Sequence, residues 1–242
     1  MEKLYTPINT LKSVDDNIWI VDGQSISFYG APYTTRMTII KLANGDLFCH
    51  SPIALTEDLK QQIQSLGTVK HLVSPNWIHY AYIPEWSKVF PNTISWASPN
   101  VRERAKKYKL DIDFDEDLSD QAEEPWKQEI DQLIAHGSTI HSEVVFFHKA
   151  SKTLILTDLI ENFEKHKIPF WFKVLAKWAG ILDPDGKAPI DMRFSFKNGR
   201  AQLKPAVEKM IDWGPEKVIL AHGRWYPENG VRELKRAFSW VL

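Results

Sequence analysis

The sequence predicts an α/β fold, and three observations carry that expectation. Residues 46–74 read as strand, helix, strand. Residues 130–157 hold three more runs of strand length. A strand at 218–221 is followed by a helix over 230–242. A strand–helix–strand succession implies a parallel pair, because parallel neighbours need a long crossover.

Taken in order, residues 17–22 (NIWIVD) and 36–42 (RMTIIKL) are the first strands. Asn44-Gly45 is a strong hairpin signal, since both residues tolerate positive φ. The returning arm, from Asp46 to Cys49, ends at His50-Ser51-Pro52. Residues 56–66 form a helix. Thr56 can cap it, Glu57 and Asp58 suit its first turn, and Leu55, Leu59, Ile63 and Leu66 share a face. Gly67 is read as its stop.

Residues 69–74 and 93–97 are further strands, and 100–109 a polar helix. The acidic stretch 111–124 lacks apolar periodicity and reads as a solvated loop or flap, the alternative being an acidic binding tail. The strands at 130–134, 143–148 and 153–157 follow. Over residues 166–182 apolar side chains wrap most of a helix, with Lys173 and Lys177 marking one polar stripe. Three readings stay open there: a cover over the site or core, an interfacial membrane helix, or a dimer contact. In the last helix Leu234, Phe238 and Val241 share a face.

The chain has 242 residues, 43% of them hydrophobic. That suffices for one sizeable core, so a single domain over 1–242 is expected. The net charge of −1 shows no basic excess, and nucleic acid is not an expected partner; a small-molecule substrate or ligand is. Cys49 is the lone cysteine, which excludes an intrachain disulfide and a four-cysteine zinc site. It reads as a small buried hydrophobe. The N-terminal residues lack an apolar run of signal-peptide length, and no run approaches a spanning helix, so a cytoplasmic setting is expected.

Four metal-capable side chains fall at strand ends: His79 after the strand ending at Ser74, His141 before the strand at 143, Asp158 after 157, and His222 after 221. Side chains from separate strand ends converge on one rim in open α/β sheets. Imidazoles with one carboxylate suit zinc, iron or manganese. The other histidines, His50, His71, His136, His148 and His166, read as ordinary hydrogen-bonded residues. His71 is expected to face outward or sideways, and His148 and His166 to lie at the surface. There is no Gly-x-Ser-x-Gly elbow, no Walker loop and no Gly-x-Gly-x-x-Gly. Residues 183–187 are turn chemistry. Trp77, Trp171, Trp178 and Trp225 are candidates for a pocket lining, with plain packing as the alternative. Arg224 and Tyr226, beside His222, are candidates to bind an anionic group.

The order and spacing of SPNWIHY (74–80), STIHSE (138–143), LILTD (154–158) and ILAHGRW (219–225) resemble the metallo-β-lactamase superfamily, in particular a branch known as a domain of unknown function. The resemblance spans nearly the whole chain and implies a four-layer αββα sandwich of two mixed sheets with outer helices. The superfamily's His-x-His-x-Asp-His loop falls on Ser74, Pro75, Asn76, Trp77, Ile78 and His79, so only its last histidine is kept. His141, Asp158 and His222 match later ligands. One superfamily metal position is thereby reduced to His141 and Asp158, with Asn76 as a weak carbonyl ligand. The other retains His79, Asp158 and His222.

The resemblance implies a hydrolase with one divalent ion, zinc first and iron or manganese next, at His79, Asp158 and His222. It acts on an ester, thioester, amide, lactone or phosphodiester. His141 is then the candidate general acid or base. Asn76 or Tyr80 is the candidate to hold a developing oxyanion. The losses at Ser74, Asn76 and Ile78 equally suit a non-catalytic module that binds a small molecule or a partner. Iron-dependent redox chemistry is a third reading.

Overall fold

The structure is a computed structural model that describes residues 3–28, 30–109 and 112–242. A long antiparallel meander opens the chain: β1 (Lys12–Asp15), β2 (Ile18–Phe28), β3 (Ala31–Lys41) and β4 (Asp46–His50). It turns at Asn44-Gly45 as expected, with Gly45 at φ +89°. Helix α1 (Glu57–Leu66) then crosses over to β5 (Thr68–Ser74), which pairs parallel with β4. Parallel pairing continues to β6 (Ile94–Ala97) and β7 (Glu116–Asp117), reached through α2 (Ile83–Val89) and α3 (Val101–Lys107). The seven strands lie in sequence order.

The second sheet has four strands: β8 (Ile130–Ala135), β9 (Glu143–His148), β10 (Thr153–Ile155) and β11 (Lys217–Ile219). The first three are antiparallel neighbours, and β11 joins β10 in parallel. Between β10 and β11 run α4 (Phe170–Ala179), α5 (Ile190–Ser195) and α6 (Arg200–Asp212); α7 (Gly230–Ala237) closes the chain.

Alternation along the strands divides the apolar residues among three layers. Val21, Met37, Ile39, Leu47, Cys49 and Leu72 point from the first sheet toward Leu59 and Ile63 of α1, Trp86 of α2 and Val101 of α3. The opposite face sends Ile18, Ile20, Ile40, Phe48, Val73 and Trp96 against Ile134, Val144, Phe146, Ile155 and Ile219 of the second sheet. That sheet's outer face packs Val145, Phe147, Leu154 and Val218 on Leu203 and Val207 of α6 and Leu234 of α7. Helices, sheet, sheet, helices is the four-layer order expected.

Thr56 caps α1, its Oγ1 accepting from Leu59 N at 3.2 Å, and the helix stops at Gly67 as expected, with Gly67 extended at φ 170°. Its lack of a side chain is needed because a Cβ would collide with the carbonyl of Gly45. In the acidic stretch Asp111 lies outside the described residues; the rest is anchored, with Phe114 and Leu118 buried and 116–117 paired to β6. Polar contacts hold it as well: Asp115 accepts from Ser95 N and Oγ, and Arg102 donates to Asp117 and to the carbonyl of Phe114.

The strands expected over 153–157 and 218–221 stop at Ile155 and Ile219. The helix expected over 166–182 is shorter, entered after Pro169 and ended by Gly180 at φ +78°. It buries Phe172 and Ala176 over Phe163 and Tyr33 and leaves most of its other apolar side chains in water. His71 and His148 are buried, not outward: Trp96 Nε1 donates to His71 Nδ1, and Ser151 Oγ bonds His148 Nδ1. Helix α6 went unread because Pro205 interrupts it, although Leu203, Val207 and Met210 share its buried face. No helix among the described residues is long and apolar enough to cross a membrane.

Candidate metal centre

The loops that leave β5, β10 and β11 meet at one rim, and each carries one of the expected ligands. His79 follows β5 within a turn organised by Asn76. The side-chain carbonyl of Asn76 accepts from Ile78 N and His79 N at 3.0 and 3.1 Å. Its amide nitrogen donates to Asp158 Oδ2 at 2.6 Å and Thr157 Oγ1 at 3.0 Å. Both donors and both acceptor positions of the amide are therefore used within the protein. That network also fixes which end is nitrogen.

Asp158 is set by Glu143, which opens β9. Oε1 of Glu143 accepts from Thr157 N at 2.7 Å, and Oε2 accepts from Asp158 N at 2.7 Å and Leu159 N at 3.1 Å. His141 Nε2 lies 3.4 Å from the same Oε2. His222 leaves β11 ahead of Gly223, at φ +86°, where a Cβ would strike the backbone of Asn162. Its Nδ1 lies 2.7 Å from Thr34 O. A carbonyl only accepts, so Nδ1 carries the proton and Nε2 keeps its lone pair in the neutral ring. His79 Nδ1 is bonded to Ser51 Oγ at 2.7 Å, which fixes the second ring.

Both Nε2 atoms face one carboxylate. His79 Nε2 is 3.4 Å from Asp158 Oδ2, and His222 Nε2 is 3.2 Å from Asp158 Oδ1. Ligand atoms at roughly 2.0–2.1 Å from a tetrahedral zinc stand roughly 3.3 Å apart. The spacing therefore suits a divalent ion, and rings held through their far nitrogens are the usual support for imidazole ligands. Charge agrees with distance. Burial opposes ionisation of Asp158, yet His79 and His222 hold its carboxyl well below the usual carboxylate range. Burial likewise opposes charge on His79, but Asp158 overrides it and raises the imidazole pKa. The carboxylate and the two rings therefore favour opposite charge on one another.

A second cluster, His141, Glu143 and Asp158, also brings its ligand atoms within 4.8 Å of one another. Its Glu143 oxygens already accept three backbone N–H bonds, which makes it the poorer cation site.

The centre opens into a cavity of about 490 Å³ whose walls include Trp77, Ile78, Tyr80, Ile140, Met192 and Tyr33. Tyr33 stands edge-on to the His222 ring at 5.0 Å. Arg104 lines the cavity with its guanidinium 4.5 Å over the Trp77 ring. Of the four candidate tryptophans only Trp77 lines this cavity. Trp225 packs on the layer between the sheets, and Trp171 and Trp178 are exposed. Arg224 pairs with Asp183, and Tyr226 is buried against Arg236, so neither is placed to meet an anion in the cavity.

Sequence reasoning passed over Glu143, the Asp22–Arg36 pair and Glu161. Arg36, 3% exposed, donates from Nε to Asp22 Oδ1 at 2.8 Å and from Nη1 to the carbonyls of Leu220 and Gly223 at 2.6 and 2.9 Å. It ties the His222 loop to the first sheet. Glu161 is buried in the cavity wall, with no hydrogen-bond partner for Oε2 among the described residues. Burial, then Asp158 and Asp191, push its carboxyl well above the usual range. A signal existed for each: a charged residue inside a strand-like or apolar run has to be paired or neutral.

This is the metallo-β-lactamase fold, and solved structures match nearly the whole of this chain. The DIM-1 metallo-β-lactamase is 14% identical with a TM-score of 0.67, over 99% of this chain and 100% of that one. The mono-zinc form of FIM-1 from Pseudomonas aeruginosa is 10% identical with a TM-score of 0.62, over 96% of each chain. Rubredoxin oxygen:oxidoreductase from Desulfovibrio gigas is 13% identical with a TM-score of 0.59, over 96% of this chain and 61% of that one. Within that fold, residues 15–177 match the family described as domain of unknown function DUF4336, and the chain belongs to it. No curated protein matches the chain.

Proposed function

We propose that the protein is a metal-dependent hydrolase with a single divalent ion, zinc first, held by His79, Asp158 and His222. The observation that carries this reading is the pair of imidazoles fixed through Nδ1, with both Nε2 atoms turned to one buried carboxylate. A single ion is favoured because the Glu143 oxygens, which a second ion beside His141 would need, already accept three backbone N–H bonds. Ser74 and Ile78 offer that ion nothing either.

Bound there, a divalent ion supplies an activated water and polarises a carbonyl or phosphoryl oxygen. The chain's own groups do the rest. His141, whose Nε2 faces Glu143, takes a proton from the attacking water and gives it to the leaving group. Asn76 acts as a positioning residue that fixes Asp158 and the turn carrying His79. The Trp77, Ile78 and Ile140 walls hold the apolar part of a small ester, thioester, amide, lactone or phosphodiester and keep bulk water away.

The test is metal content by elemental mass spectrometry on protein purified without chelator, with Asp158→Ala and His222→Ala as controls. Roughly one equivalent of zinc, iron or manganese is expected, lost in both variants while circular dichroism stays parental. Protein that takes up none of these ions on titration, or variants that bind as the parent does, would overturn the reading in favour of a non-catalytic binding module.

A further inference from the structure

Helix α4 leaves a large part of its surface in water. Phe170 and Trp178 are each 80% exposed, and Trp171, Val174 and Leu175 are about half exposed. At 3.6 residues per turn these five fall in one arc of roughly 140°. Phe172 and Ala176 occupy the arc that packs inward, beside Ile168 and Phe163. Lys173 and Lys177 flank the exposed arc. Monomers in water rarely present so continuous an apolar face, and such faces mark docking sites.

Charge selects the occupant. Residues 165–182 contain four lysines and one histidine and no Asp or Glu, in a chain whose net charge is −1. A shallow groove of about 810 Å³ runs beside the helix, lined by Lys165, Lys173 and Lys177 together with Val174, Trp178 and Leu182. Lysine ammonium groups beside exposed aromatic side chains match a lipid interface, where aromatic rings sit at headgroup level and cations meet phosphate. A second copy of the chain would set the same lysines against each other. The helix has ten residues, enough to lie along a bilayer surface and too few to cross it.

We propose that α4 docks the protein on an anionic phospholipid bilayer, with Trp171, Val174, Leu175 and Trp178 entering the interface and Lys165, Lys173 and Lys177 contacting lipid phosphate. The surface is separate from the metal centre, and this proposal stands independently of the hydrolase reading.

Co-sedimentation with vesicles tests it, using the full chain with phosphatidylcholine alone and with about a quarter phosphatidylglycerol. Binding is expected to the mixed vesicles, weakly to the neutral ones, and to fall as salt rises. Each basic residue at such a surface contributes roughly fivefold in partitioning, so Lys173→Gln with Lys177→Gln should cut binding roughly 25-fold. Trp178→Ser, at a site outside the core, should lower it about tenfold or more with unchanged circular dichroism. Absence of binding to the mixed vesicles, or binding indifferent to both variants, overturns the proposal. So does a dimer by analytical ultracentrifugation that Trp178→Ser dissociates, which would make a second copy the occupant.

Discussion

Replacing Arg36 with lysine tests how the His222 loop is held to the rest of the protein. The guanidinium binds Asp22 on one side and the carbonyls of Leu220 and Gly223 on the other. Lysine keeps the charge but offers a single compact ammonium in place of the fork. If that ammonium stays on Asp22, two buried carbonyl oxygens lose their donor. A bare buried acceptor costs ~1–3 kcal/mol, so the pair should cost about 2–4 kcal/mol after local relaxation. Urea unfolding of the metal-free protein, followed by tryptophan fluorescence, measures it as a lower midpoint with an unchanged slope. Zinc affinity is the second readout. A displaced His222 should weaken it by roughly 10–100-fold, as loss of a supporting hydrogen bond does elsewhere. A stability loss under ~1 kcal/mol together with parental zinc affinity would refute the reasoning, because the loop would then hold its place without the guanidinium.

Acid sensitivity should come in part from His71, whose pKa burial pushes down to about 4. The folded value lies below the unfolded one, so its contribution is complete above ~6.5 and is lost as pH falls toward 4. Between about pH 7.5 and pH 5 the parent should lose about 2 kcal/mol more stability than His71→Leu, and parallel losses in urea melts would rule this out. Glu161 works in the opposite sense. Its folded pKa is raised, so stability is lost as pH climbs above its unfolded value. In chelator, Glu161→Gln should therefore be more stable than the parent at pH ~8, by a margin that shrinks toward pH ~5; a constant difference in chemical denaturation would count against it. Gly223→Ala should cost at least ~2 kcal/mol and lower zinc uptake, since the new Cβ meets the Asn162 backbone at positive φ. Thermal melting at the parent's temperature would contradict that.

The layer order was legible because runs of strand length alternate with a helix and the β4–α1–β5 crossover announces a parallel pair. The candidate ligands were legible for a related reason: Asp158 and His222 come at the ends of apolar strand runs and His79 across a short loop from one, and a polar side chain at a strand end has few places to go. What stayed hidden was support that comes from far along the chain. Thr34 and Ser51 meet His222 and His79 across 188 and 28 residues, and neither residue type announces itself. Arg36 reaches carbonyls 184 and 187 residues away, through backbone groups that carry no sequence signature at all. His71 was misplaced because strand alternation says which residues share a face, not that the second face is also covered. Helix α4 kept its apolar character but not the burial expected of it, since composition alone does not tell an inward face from an outward one.

The candidate ligands come from both sheets: His79 from the end of β5 in the seven-stranded sheet, Asp158 and His222 from the ends of β10 and β11 in the four-stranded one. An ion shared by all three would be a rivet through the sandwich, added to the apolar layer and to the Arg36, Thr34 and Asn76 hydrogen bonds that already join its halves. Binding to the native state alone adds RT ln(1 + [L]/Kd), about 2.7 kcal/mol when the ion is at 100 times its Kd. Melting temperature is then a calorimetric ruler for the site, and candidate ions, or competitors that strip them, can be ranked by the shift they cause before any substrate is in hand.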